Sequence, residues 1–172
     1  MPTDLNQCRK KKVERKPKIS EASELRAYSK EHIAYELSLL IALCELKETG
    51  IWAMDMAIYE CRILHFRSIL EFLDNHYPKD DDVIVEDYLQ QGERLSPLDQ
   101  DLDTARKRSN KEIAHLTAER IGGFQVYKVW DFANIFQRLS KVLKDFSVKA
   151  NKELLDDSVF QLIDVFYQRF QQ

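Results

Sequence analysis

The chain has 172 residues, of which 44% are apolar and only four are Gly and four Pro. Such a length suits one domain with a real core, and the shortage of turn residues speaks against a strand-rich fold. The formal net charge is -3, which does not fit a general nucleic-acid binder. Cys8, Cys44 and Cys61 lie far apart with no CxxC pair, which speaks against a disulfide framework or a zinc site.

Charge is uneven along the chain. Residues 1–19 hold Arg9, Lys10, Lys11, Lys12, Arg15, Lys16 and Lys18 against Asp4 and Glu14, so they carry +5 and the remainder -8. This stretch reads as a basic, disordered tail. It is either a solvated arm with no partner or a source of weak, salt-sensitive affinity for phosphate. Residues 20–172 read as a single α-helical domain. No apolar stretch follows the basic N-terminus in the manner of a secretory signal. The most apolar run, Leu37 to Leu46, is interrupted by Ser38 and Glu45 and falls far short of the ~20 residues that span a bilayer. A cytoplasmic location and no membrane partner are expected.

The first helix is expected after Ser20, a plausible N-cap, and runs to about Glu48, with Ile33, Leu37, Leu40, Ile41 and Cys44 at helical spacing and Gly50 as its stop. The second carries an apolar seam of Trp52, Met56, Tyr59, Ile63, Phe66, Leu70 and Leu73, broadened by Ile58, Ile69 and Phe72, as core-packed helices do. Cys44 and Cys61 both fall in such patterns and read as buried thiols. Pro78 and the run Asp80, Asp81, Asp82 mark a loop without the spacing of a calcium-binding EF-hand. Val83 to Val85 reads as briefly extended, and Glu86 to Gln91 as a turn of helix.

Ser96, Pro97 and Leu98, followed by Asp99, resemble the start of a third helix. Its inner face is Leu98, Leu102, Ala105, Ser109, Ile113 and Leu116, and Gly122 and Gly123 end it. Phe124 to Trp130 is a candidate extended connector. Asp131 caps a fourth helix with Phe132, Ile135, Phe136, Leu139, Val142, Leu143 and Phe146, and a fifth carries Val159, Ile163, Phe166 and Phe170. With no internal repeat, the whole reads as an all-α bundle of about five helices.

Several chemistries have no motif in this chain. There is no Gly-rich phosphate loop, HExxH, G-x-S-x-G or clustered His/Cys ligand set, so no cofactor or metal is expected. One segment stands out, Ala105 to Thr117. Seven steps of about 100° return Arg108 and His115 to one stripe, roughly 10 Å apart along the axis and bordering the apolar face. In an unbroken helix Asn110 points about 160° away from Arg108. An arginine can hold a scissile phosphate and offset its growing charge. A histidine can take the proton from a 2′-hydroxyl or supply one to the leaving oxygen. A two-fold dimer would bring two such pairs together. The alternative reading pairs Arg108 with Glu112 and His115 with Glu119 as ordinary surface ion pairs.

The text "RSNKEIAHLT", with Arg108 and His115 as an R-x(4–6)-H motif and Asn110 inside it, resembles that of abortive-infection (AbiU-like) proteins of the HEPN superfamily. The preceding helix, with Arg62, Arg67 and "SILEFL", is similar to the family's. The resemblance implies an all-α HEPN-like bundle over residues 20–170 and a homodimer. It also implies a metal-independent endoribonuclease in phage defence or a toxin–antitoxin system, with RNA as substrate and an antitoxin or other protein as partner. It gives Arg108 the phosphate-stabilising role, His115 the general acid/base role, and Asn110 the place of the motif's polar residue. Arg62, His65 and Arg67 are candidates to line the same groove. The alternative is a non-catalytic HEPN-like module for dimerisation, RNA binding or protein binding.

Overall fold

The computed structural model describes residues 15–112 and 130–171. The outermost tail (1–14), Ile113, Leu116, Glu119, the Gly122–Gly123 stop and the connector before Trp130 therefore lie outside the described residues, as do the side chain of Glu112 and its pairing with Arg108. Five helical rods run through the described residues in a bundle, with no strand among them. The first rod is α1 (Ala22–Tyr28) and α2 (Ala34–Glu45), joined by a π-helical turn (Ser29–Ile33). The others are α3 (Trp52–Leu73), α4 (Gln100–Glu112), α5 (Phe132–Lys149) and α6 (Asp157–Phe170). Each rod packs on the next, and α6 packs back on α2, which closes the ring.

The core fills that ring. Leu40, Phe66, Leu70, Leu102, Leu139 and Phe166 are fully inaccessible, and each contributes about 1.5–3 kcal/mol by burial. The apolar seam expected on the second helix holds from Tyr59 to Leu73, but Trp52 is 78% exposed. The first turns of α3 project beyond the packed core. Cys61 is exposed rather than buried, while Cys44 is half-buried and its thiol is pushed up to about 11 by burial.

The first rod starts at Glu21 rather than Ser20, with no side-chain cap, and ends at Glu45. Gly50 does not stop it. Instead Gly50 (φ +76°) shapes the turn into α3, where the Asp55 carboxylate accepts hydrogen bonds from Thr49 N, Thr49 Oγ1 and Gly50 N. The π-helical turn is tied to the start of α6. Buried Ser29 donates its hydroxyl to the Arg26 carbonyl (2.8 Å) and accepts from Asp156 N (2.9 Å).

The third helix starts one turn later than Ser96 and Pro97 suggest. Asp99 Oδ1 accepts from Leu102 N (2.9 Å), and its Oδ2 accepts from Arg138 of α5 (2.8 Å). Asp99 thus caps α4 and ties it to α5. Asp131 and Asp156 cap α5 and α6 by accepting from Asn134 N and Ser158 N. Val85 to Tyr88 forms a 3-10 turn, and Tyr88 anchors it by donating to the Leu25 carbonyl (2.9 Å).

The boundary at residue 19 falls inside an ordered contact. Arg15 binds the Asp87 carboxylate and the Asp82 carbonyl, while Lys16 N and Lys18 N donate to the Asp80 side chain and carbonyl. The basic stretch from Arg15 onward thus lies against the acidic loop.

Candidate functional site

Helix α4 carries Arg108 and Asn110 of the motif, and its surroundings explain why they sit where they do. Leu102, Ala105 and Ser109 form a buried stripe. The small middle of that stripe lets α4 pack on both α3 and α5. Ser109 satisfies its hydroxyl within the helix by donating to the Arg106 carbonyl (2.7 Å).

Arg108 borders this stripe and is half-buried, with its guanidinium carbon 4.6 Å from the centre of the Trp130 ring. Trp130 is itself buried and meets Phe66 edge-on at 6.0 Å, so the platform under Arg108 is part of the core. A guanidinium over an indole gains a cation–π attraction, and the planar fork of an arginine is the geometry that suits a phosphate or carboxylate.

Asn110 faces elsewhere. Its Nδ2 donates to Glu71 Oε1 on α3 (3.3 Å), and its Oδ1 is buried with no hydrogen-bond partner. Arg67 sits one turn before Glu71 on α3, and its Nε is buried and unpartnered as well. Buried unpaired groups of this kind mark places where water or a ligand commonly completes the bonding. The structure therefore sends Arg108 to Trp130 and Asn110 to Glu71, as a two-residue helical step requires. His115 lies outside the described residues.

The three groove candidates on α3 do not share one surface role. Arg62 donates to the Leu43 and Leu46 carbonyls (2.9 and 2.8 Å) and so caps the end of α2. His65 Nδ1 pairs with Glu36 Oε2 at 2.8 Å and stands edge-on to Tyr35. Only Arg67 belongs to the face that carries Glu71.

One feature has no local sequence signal. A cavity of about 390 Å³ opens between the first rod, α3, α5 and the acidic loop. Glu36, Glu71, Asp81 and Asp82 line it with His32, and no Lys or Arg is among the described lining residues. The Tyr28 hydroxyl on its wall has its pKa raised by burial and by the charges of Glu36 and Asp82. These residues come from distant parts of the chain, so only the assembled fold gathers them.

Compared with known protein families, curated proteins and solved structures, the chain matches none. Among the described residues, no helix is long and apolar enough to cross a membrane, and no group of three or more His, Cys, Asp or Glu is placed to hold a metal ion.

Proposed function

We propose that this chain is a HEPN-like, metal-independent endoribonuclease that acts as a homodimer in phage defence or a toxin–antitoxin system. The observation that carries the reading is the half-buried Arg108 guanidinium laid on Trp130 at 4.6 Å. It is a rigidly backed donor set, and in the sequence His115 follows it at a spacing close to two full helical turns. In this reaction the 2′-oxygen of RNA bonds to the adjacent phosphorus as the bond to the 5′-oxygen breaks, leaving a 2′,3′-cyclic phosphate. His115 takes the 2′-proton or supplies one to the leaving oxygen. Arg108 stabilises the charge building on the phosphoryl oxygens. Asn110 acts from the α3 side through Glu71 and positions α4.

The test is cleavage of mixed cellular RNA in EDTA by wild type, His115→Ala and Arg108→Ala. Cleavage by wild type alone, ending in cyclic phosphate, supports the reading. A requirement for Mg²⁺, or equal cleavage of DNA, overturns it.

A second reading is favoured by the turning of Asn110 to Glu71, away from Arg108. In it the bundle is a non-catalytic module that holds RNA, an antitoxin or another protein. A folded His115→Ala that loses the biological effect but keeps its partner would count against this reading.

A further inference from the structure

We infer that the 390 Å³ cavity beside the π-helical turn binds a linear aliphatic polyamine. The inference does not depend on the ribonuclease reading, although it shares with it Glu71 and that residue's partner Asn110. The volume lies in the range of small-molecule sites, about 300–1,000 Å³. The walls have two characters. Leu37, Ile69, Phe72, Leu143 and Phe146 supply an apolar floor that fits methylene groups. Glu36, Glu71, Asp81 and Asp82 supply negative charge from three separate segments, with no Lys or Arg among the described lining residues and His32 beside them.

That distribution selects the ligand. A compact metal ion needs its ligands converged on one point, and the described residues offer no such group. A flexible chain with two or three ammonium ends can meet dispersed carboxylates while laying its carbon stem on the floor. Three of the carboxylates are held in advance, Asp82 Oδ2 among them by Asn75 Nδ2 (3.1 Å) and Lys79 N (2.8 Å). Glu36 Oε2 is fixed by His65 (2.8 Å) and Glu71 Oε1 by Asn110 (3.3 Å). Groups already oriented lose little freedom on binding. The neighbouring cations face elsewhere: Arg15 is spent on Asp87 and backbone carbonyls, and Lys18 reaches Asp81 only at 4.0 Å on the exposed rim.

The experiment is calorimetric titration of the full chain with spermidine at about 0.15 M salt. Saturable one-to-one binding is expected, with Kd on the order of 10–100 µM. It should weaken at least tenfold in Glu36→Gln/Glu71→Gln and stay unchanged in Glu24→Gln/Glu93→Gln, whose sites are exposed. Ser68→Leu, which fills the cavity without changing charge, should weaken it as well and keeps the test decisive if the double variant does not fold. No saturable heat from wild type overturns the inference. So does equal binding of Mg²⁺, or binding that survives Ser68→Leu. Tighter binding of N-acetyl-lysine amide than of spermidine also overturns it, because the site would then read peptide-borne lysine.

Discussion

Arg15 grips the Asp87 carboxylate through two parallel hydrogen bonds, Nη1 to Oδ1 at 2.7 Å and Nη2 to Oδ2 at 2.9 Å. Both side chains are nearly out of solvent, at 14% and 11% exposure. Asp87 also accepts from Ile84 N (3.0 Å), so one carboxylate holds the strap before α1 and the start of the 3-10 turn together. Arg15→Met should cost about 1.5–3 kcal/mol, the range for a hydrogen bond to a charged group. Asp87→Ala should cost more, because it also frees the Ile84 donor. Urea unfolding of both single variants and the double gives the coupling between them, and additive losses would show that the pair is not a clamp.

Arg62 is a cap for α2, and its substitution should read as one. Arg62→Met leaves the Leu43 and Leu46 carbonyls without their donor. The expected loss is about 1–3 kcal/mol of stability, with RNA binding by the folded variant unchanged. A large fall in RNA affinity at equal stability would instead place Arg62 in a binding groove.

Ser109 is a spacer more than a hydrogen-bonding residue. It is fully buried, and its hydroxyl bonds only within its own helix. Ser109→Ala should therefore change stability by no more than about 0.5 kcal/mol. Ser109→Leu should cost about 1–3 kcal/mol, because the added volume pushes α4 off its neighbours. Thermal unfolding of the two variants side by side checks this.

Arg108→Lys separates charge from geometry. Lysine keeps the positive charge but loses the planar fork and the stacking on Trp130. Under the ribonuclease reading, cleavage should fall by about 10²–10³, the usual effect of losing one transition-state donor. The melting temperature should stay close to wild type. Full activity in Arg108→Lys would remove arginine geometry from the mechanism.

Asp156 predicts a pH dependence. Its carboxyl is held below its ordinary value of 3.8 by the Ser158 hydroxyl and N–H and by the charge of Arg26. A depressed folded-state pKa gives stability that is present above the unfolded value and is lost as pH falls through the folded one. Asp156→Ala should cost about 1 kcal/mol at pH 7, a typical N-cap loss. The gap to wild type should narrow as pH drops below 3.8. Denaturant midpoints across that interval test it, and a gap that does not change with pH would remove the charge from the account.

Much of the fold was legible in the sequence because helix periodicity is a local property. Ile63, Phe66, Leu70 and Leu73 recur at the helical repeat, and the same residues line the core. Asp131 announced its helix because an N-cap bond spans only three residues. The same reasoning placed the start of α4 too early, at Ser96 and Pro97 rather than at Asp99, whose carboxylate also meets Arg138, 39 residues away. It put Trp52 inside, because periodicity tells which residues share a face but not how far the neighbouring rods extend. It left Arg15 to Ile19 in a tail, because the Asp87 carboxylate and the Asp82 carbonyl that hold Arg15 lie more than 60 residues further on.

By itself the sequence determined the class of fold and the start of α5 at Asp131, which depend on residues a few positions apart, and it singled out the segment from Arg108 to His115. Only the tertiary structure decided that Arg62 caps a neighbouring helix, that Asn110 turns to Glu71 and that Arg108 rests on Trp130. It alone gathered Glu36, Glu71, Asp81 and Asp82 around one cavity. The physical reason is range. Backbone hydrogen bonding and amphipathic spacing act within a few turns, whereas the direction and partners of a polar side chain depend on which distant element packs against it.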